Sequence, residues 1–275
     1  MSIMRLAGAN DKIFDTLMSD DERIVFNLFE LIRENSRSFI ATDDETYIFA
    51  ENSRRAPTWL YLKKRPEGKA FDELLSIVSG MAKLNALFKI NTREDYAKDL
   101  LDAVSETCHV GYSLETPMEV YTCDKLIPIP TTDGRLVSPK EEHRAILKEF
   151  VVGMVRDSAG LVFDADDSEK FTSALLSSQS FFLWENSEGK IVSMAKIAHR
   201  TEKYARLNAI FTDSDSRGKN YTKMLLSRIT DDLMKEGITP VIYADKNNVE
   251  KNEAYRMLGY RAVGDVTQFA FDKPL

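Results

Sequence analysis

Residues 210–226 read IFTDSDSRGKNYTKMLL, with Arg217-Gly218-Lys219-Asn220-Tyr221-Thr222 at the centre. An apolar strand, Leu207 to Phe211, runs into a short polar turn, Thr212 to Ser216. A helix opens after Arg-Gly-Lys-Asn, with Met224, Leu225, Ile229 and Leu233 at helical spacing. A strand that ends in a polar, glycine-containing turn opening a helix leaves several backbone N–H groups unpaired and pointing one way. The helix dipole stands behind them, so the turn is an anion site, with phosphate its usual occupant. Arg217 and Lys219 add full positive charge. The same stretch also reads as an ordinary strand–turn–helix with a solvated basic turn. Residues 244–265 decide between the two.

The 275 residues suggest two domains or one large one. Hydrophobic residues make up 43% and charged residues 29%, enough for a real core. The net charge of −7 argues against a nucleic-acid or anionic-membrane binder, which needs a basic face. The charge is uneven: residues 1–130 hold 16 Lys/Arg against 22 Asp/Glu, and the remainder 21 against 22. A local basic site in the second half is therefore compatible with the acidic total. Two cysteines, Cys108 and Cys123, with no CxxC and only three histidines give no zinc site and no disulfide framework. No signal peptide and no run of about 18 apolar residues is read, so the expected location is the cytoplasm.

In the first half, residues 11–35 have helical spacing, interrupted near Ser19-Asp20-Asp21. Strand-like runs come next at Ser38–Ala41, Thr46–Ala50 and Thr58–Leu62, with a hairpin turn at Asp43-Asp44. Helix Phe71–Lys83, strand Ala86–Ile90, helix Arg93–Glu106 capped by Asn91 or Thr92, and strand Met118–Leu126 complete it. No Gly-rich turn opens a helix here, so this half reads as a structural or substrate-shaping module. Ile127-Pro128-Ile129-Pro130-Thr131-Thr132-Asp133-Gly134 is the linker. The expected domains are 1–130 and 131–275.

The second half opens with a short strand at Arg135–Val137. Ser138-Pro139-Lys140-Glu141 has the pattern of a capping box, with Ser138 at the N-cap of a helix burying Ile146, Phe150, Val151 and Val155. Ser168 would cap a second helix, through Leu176. Phe181–Glu185 and Ile191–Ile197 form a hairpin around Gly189. Gly237 ends the helix after the basic turn, Val241–Tyr243 is a buried strand, a helix from Glu250 to Leu258 stops at Gly259, and Val266–Phe271 is the last strand.

This second half resembles the GNAT superfamily of acyl-CoA-dependent N-acetyltransferases. The family's phosphate turn has the pattern Arg/Gln-x-x-Gly-x-Gly/Ala, matched by Arg217 to Thr222. ADKNNVEKNEAYRMLGYRAVGD, residues 244–265, resembles its closing motif, with Asn248, Asn252, Tyr255, Leu258, Gly259 and Tyr260 on the motif positions. FFLWENSEGKIVSMA, ARLNAIFTDSDSRGK and EVYTCDKLIPI are similar to segments of a bacterial subgroup whose N-terminal half is GNAT-like without the phosphate turn. The resemblance spans about residues 133–272 strongly and the first half more weakly. It implies an α/β (α+β) protein of two GNAT-like mixed-sheet domains in tandem. Asn220 stands where the family has its central Gly, and Asn is the most tolerated non-Gly residue at positive φ. Thr222 replaces the final Gly/Ala, so its hydroxyl donates to phosphate or its methyl crowds it.

The resemblance implies acetyl-CoA as co-substrate and no metal. The main chain of Ile210, Phe211 and Thr212 would pair with the cofactor's amide arm and supply an N–H to the thioester oxygen. Backbone N–H groups from Gly218 through Lys219, Asn220 and Tyr221 to Thr222 would hold the pyrophosphate, helped by Arg217 and Lys219. Asn248 and Asn252 would bond its polar atoms. Tyr255 is the expected general acid, giving a proton to the departing thiolate; its plainer role is a core aromatic beside Leu258 and Tyr260. Glu185, His199 and Asp213 are candidate bases without a spacing argument. The implied reaction is acetyl transfer to a primary amine, on a small molecule or a protein. The acidic first half suits a cationic acceptor. The alternative is a non-catalytic module that binds acyl-CoA or another ligand. The expected assembly is a monomer or homodimer, with no nucleic acid and no membrane.

Overall fold

The computed structural model describes residues 4–54, 56–85, 87–159 and 165–272. The fold is α/β with mixed sheet, and the chain forms two compact units. One comprises Met1–Val120, Ala244–Val249 and Ala262–Leu275; the other comprises Tyr121–Tyr243 and Glu250–Arg261. Strands β6 (Tyr112–Cys123), β11 (Thr239–Asp245) and β12 (Tyr260–Phe271) contribute residues to both, so the units do not divide at a single point in the linker.

In the first unit β1 (Arg5–Leu6) precedes three short helices, α1 (Ile13–Thr16), α2 (Asp20–Val25) and α3 (Leu28–Glu34). The expected break falls at Ser19, which caps α2 reciprocally with Glu22. A second break comes at Asn27, whose side-chain amide donates to the Ile24 carbonyl (2.7 Å). Strands β2 (Phe39–Thr42), β3 (Tyr47–Glu51) and β4 (Thr58–Leu62) are antiparallel, and β5 (Lys89–Thr92) is parallel to β4. Asp43 and left-handed Asp44 (φ 67) make the hairpin turn, with Asp43 Oδ1 accepting from Thr46 N (2.7 Å). Helices α4 (Gly68–Leu84) and α5 (Glu94–Cys108) cover the sheet with Leu74, Val78, Leu100 and Val104. Asn91 and Thr92 are buried inside β5 and cap nothing; Arg93 precedes α5. The expected strand Ala86–Ile90 starts at Lys89, and Ala86 lies outside the described residues.

The second unit runs β7 (Arg135–Val137), α6 (Arg144–Ala159), α7 (Ala165–Leu176), β8 (Phe181–Glu185), β9 (Ile191–Arg200), β10 (Tyr204–Thr212), α8 (Tyr221–Lys235), β11 and α9 (Val249–Met257). After the leading helices, each unit has three antiparallel strands, a helix, a strand parallel to the third, and another helix. The expected helix start at Ser138 is displaced. A 3₁₀ turn at Glu141–His143 leads into α6, and His143 Nδ1 accepts from Lys140 N (3.1 Å), doing the capping assigned to Ser138. Ser168 lies buried within α7, which starts three residues earlier with Asp166 and Asp167 in its first turn. Leu147, Phe150 and Val151 carry α6 onto Leu183, Met194 and Phe211, while Ile146 and Val155 are only half-buried.

Gly134 (φ +102) anchors the end of the linker. A Cβ there would lie 2.2 Å from the Glu185 carbonyl oxygen, so only glycine lets the chain run against β8. The neighbouring Asp133 accepts from Ser187 N (2.8 Å), Ser187 Oγ (2.6 Å) and Tyr221 OH (2.8 Å). These donors, those of Ser187 first, hold its carboxyl well below the usual carboxylate range.

Candidate active site

Strand β10 pairs in parallel with β11 from Tyr204↔Thr239 to Leu207↔Ile242, where the ladder ends. Its antiparallel ladder with β9 continues to Thr212↔Ser193. Between Asn208 and Phe211 the register slips by one residue, and Ala209 has φ 49, a left-handed residue inside a strand. The stretch Ala209–Thr212, which includes Ile210, Phe211 and Thr212, therefore lies beyond the β11 ladder. On that side β11 no longer pairs with the main chain, although the Phe211 and Thr212 carbonyls accept from Ser193 and Arg217 side chains.

The turn after β10 contains a 3₁₀ segment, Ser214–Ser216, and two left-handed residues, Gly218 (φ +77) and Asn220 (φ 63, ψ 10). Asn220 occupies the conformation a glycine would take at little cost, and it is the N-cap of α8 without a side-chain cap bond. A Cβ on Gly218 would meet nothing within 4 Å, so the backbone at Gly218 is open to close approach. Lys219 is exposed beside it. Two left-handed residues at the N-terminus of a 15-residue helix are the backbone pattern of a main-chain N–H nest, the kind that accommodates phosphate.

Three side chains of the turn are engaged within the protein. Thr222 Oγ1 bonds Thr212 Oγ1, which meets Ser193 Oγ (2.9 Å), and Ser193 donates to the Phe211 carbonyl (2.9 Å). This hydroxyl chain ties the start of α8 to the end of β10. Arg217 pairs with Asp157 of α6, donates to the Thr212 carbonyl (3.3 Å) and lies over the Phe211 ring (5.7 Å). Tyr221 is buried and its hydroxyl is directed to Asp133, so its contribution to the nest is its main-chain N–H. Phe211 presses on Gly153 of α6, where a Cβ would sit 2.7 Å from the ring. An adjoining cavity of about 290 Å³ is lined by Phe150, Gly153, Phe211, Asp213 and Ser214 among others.

On α9, Tyr255 is buried against Tyr121 (5.8 Å between centroids) and Tyr260 (6.3 Å). Burial pushes its phenol up to about 12. Its hydroxyl forms no hydrogen bond among the described residues. Tyr260 bonds Thr230 (2.5 Å), which fixes the ring beside it. Gly259 (φ +97) ends α9 against the linker, with Ile127 N donating to the Leu258 carbonyl (2.9 Å). Asn252 is buried on α9, and Asn248 stands just before the helix, its N–H donating to the Asp245 carbonyl (3.0 Å).

Of the candidate bases, Glu185 is paired with Arg135 (2.8 Å) and Asp213 lines the cavity. His199, exposed near the end of β9, is nonetheless held below its ordinary pKa by desolvation, then by the charges of Arg206 and Lys196. Sequence reasoning missed Ser193, Asp157 and Arg206. Ser193 carries no sequence signal, since strand pairing alone brings it to Thr212. Among the described residues no group of three or more His, Cys, Asp or Glu side chains is placed to hold a metal ion, and no helix is long and apolar enough to cross a membrane.

The acetyltransferase (GNAT) family matches residues 149–260. No curated protein sequence matches the chain significantly. Among solved structures, a Drosophila protein is similar with TM-score 0.61 at 11% identity, covering 100% of this chain and 99% of its own. A GCN5-related N-acetyltransferase from Kribbella flavida gives 0.60 at 13%, covering 94% and 97%. An acetyltransferase from the GNAT family of Colwellia psychrerythraea gives 0.53 at 16%, covering 98% and 100%. At these identities the structural likeness speaks for the fold, and the family match covers the splayed strand, the nest and α9. Residues 149–260 are, by this match, a domain of the acetyltransferase (GNAT) family.

Proposed function

We propose that this protein transfers an acetyl group from acetyl-CoA to a primary amine. The observation that carries the reading is the left-handed pair Gly218 and Asn220, opening α8 just beyond the point where β10 leaves β11. The residues fit the co-substrate: the nest and Lys219 for its diphosphate, the freed edge of Ile210, Phe211 and Thr212 for its amide arm, Asn248 and Asn252 for further polar atoms. Bound acetyl-CoA supplies an activated acyl group whose transfer expels a thiolate. Burial raises the Tyr255 pKa to about 12, so its hydroxyl keeps its proton through the physiological range; it gives that proton to the thiolate, and the proton shed by the attacking amine restores the phenol. A main-chain N–H of the β10 edge orients the acyl oxygen.

The engagement of Arg217 by Asp157, and of Thr222 by Thr212, favours a second reading: an acyl-CoA-binding module without transfer. Calorimetry with acetyl-CoA on the native protein and Gly218→Glu, together with thiol release across an amine panel, tests both. Binding lost in Gly218→Glu and amine-dependent thiol release support transfer. Equal binding by the two proteins sinks the nest assignment, and binding without thiol release selects the second reading.

A further inference from the structure

Arg206, on β10 before the Ala209 bulge, differs from most arginines of its unit; Arg228 also lacks a carboxylate partner among the described residues but is exposed. Arg135, Arg144, Arg200, Arg217 and Arg261 all pair with carboxylates. Arg206 has none among the described residues, and its Nε is buried with no hydrogen-bond partner. Its guanidinium lies over the Tyr243 ring at 4.3 Å. Stacking of this kind satisfies the face of the guanidinium and leaves its in-plane donors for a planar anion. Arg206 is half-buried, and a cation that loses water without gaining a counter-charge is costly, a cost that an anionic ligand would offset.

None of its neighbours across the β9–β10 ladder is acidic. Arg206 pairs with His199 and Asn208 with Lys196 across the β9–β10 ladder. A register shift in β9 at Ala198 brings His199 to the face of Lys196, although they are three residues apart. Met194 shares that face by strand alternation, and so does its partner Phe211. Arg206, His199, Lys196 and Asn208 therefore form one cationic and polar patch on the Phe211 face. Strand rise places Arg206 about 13 Å from Ile210, a span covered by the arginine side chain and a small acceptor together.

We propose that this patch binds a carboxylate carried by the acceptor, so that the substrate is an amine bearing a carboxylate, of amino-acid type, and Arg206 is its anchor. The inference rests on the acetyl-transfer reading and adds a carboxylate to the cationic acceptor that the acidic first half suits. The test uses the full chain and Arg206→Met, which leaves no buried charge and keeps volume against Tyr243. Amino acids of increasing length are compared with their carboxamides as acceptors, with acetyl-CoA affinity measured by calorimetry. Carboxylates should be preferred, Arg206→Met should raise their KM about 30-fold or more, and carboxamide KM and acetyl-CoA affinity should stay unchanged. Carboxamides accepted as well as carboxylates, or an unchanged KM, overturns the proposal. A second arm is independent of transfer. His199 is one of three histidines, so its ring proton can be followed by NMR on adding N-acetylglycine. Its titration should move to higher pH in the native protein and not in Arg206→Met; no movement in the native protein overturns the anion site even if acetyl-CoA binds, and movement without acetyl-CoA binding supports the anion site while sinking the transfer reading.

Discussion

Replacing Gly259 by alanine should cost about 3–5 kcal/mol, and replacing Gly218 only about 1. Both glycines have positive φ, +97 and +77. That conformation costs an L-residue roughly 1–2 kcal/mol, offset by about 0.4–1 kcal/mol from a stiffer unfolded chain. At Gly218 nothing stands within 4 Å of the new Cβ, so this backbone difference is the whole effect. At Gly259 the Cβ would lie 2.2 Å from the Lys125 carbonyl oxygen and 3.1 Å from Ile127 N. Backbone must move, which breaks the Ile127 N to Leu258 O bond (2.9 Å) at about 1 kcal/mol. Displacing buried Leu258, Tyr255 and Tyr260 adds about 1–3 kcal/mol. Urea unfolding measures the difference. The two tryptophans, Trp59 and Trp184, lie one in each unit, so a Trp59→Phe background makes fluorescence report the unit that holds Gly259. If Gly259→Ala costs no more than Gly218→Ala, the linker does not press on the end of α9.

The site itself sets three more outcomes. Tyr255→Phe should lower kcat about 100-fold with little change in acetyl-CoA affinity; since Tyr255 titrates near 12, neither protein should show a Tyr255 limb below about pH 10, and a native basic limb near pH 8–9 that vanishes in Tyr255→Phe would contradict the assignment. Asp133→Asn should destabilise at pH 7: the folded carboxyl is depressed by Ser187 and Tyr221, so its contribution is present above about pH 4 and is lost as pH falls through the folded value. The stability gap between native and Asp133→Asn proteins should therefore narrow on acidification below pH 4, and a gap that widens there would refute the link. Arg206→Met should raise stability by about 1–2 kcal/mol in thermal unfolding, because an unpaired buried charge is removed while a sulfur–aromatic contact replaces stacking on Tyr243; a loss of more than 1 kcal/mol would mean Arg206 is structural.

The parts of this protein that were legible in sequence are those set by local chemistry. Gly189, Gly237 and Gly259 all adopt the positive φ that a turn or helix end requires, and the break expected near Ser19 falls there. Asn220 is left-handed, as its place in the turn demanded. Capping signals failed where a competitor stood close in sequence. His143 displaced Ser138 by accepting from Lys140 N, and Asp166 and Asp167 let α7 start before Ser168. Asn91 and Thr92 carry cap-type side chains but were taken by a buried strand, since parallel pairing with β4 outweighs a cap. The side-chain partners of the turn were not legible. Arg217 and Thr222 read as phosphate ligands, yet Asp157 is 60 residues from Arg217 and only the packing of α6 on β10 brings them together.

The deeper obstacle is that alternation along a strand assumes an unbroken period of two, and this site depends on two breaks in it. In β9 the shift at Ala198 puts His199 on the face of Lys196; in β10 the shift around Ala209 puts Phe211 on the face of Asn208. Each pair is three residues apart and would otherwise look to opposite sides. The first break gathers the cations around Arg206. The second carries β10 off β11 and points Phe211 at Gly153, so that the strand end reaches the nest with its edge open. Alanine at both positions is what a bulge tolerates: Ala209 sits at φ 49, where a β-branched residue would be strained far more. The breaks at Ala198 and Ala209 thus separate a surface where side chains merely alternate from one where an anion site and an open main-chain edge lie along the same strand.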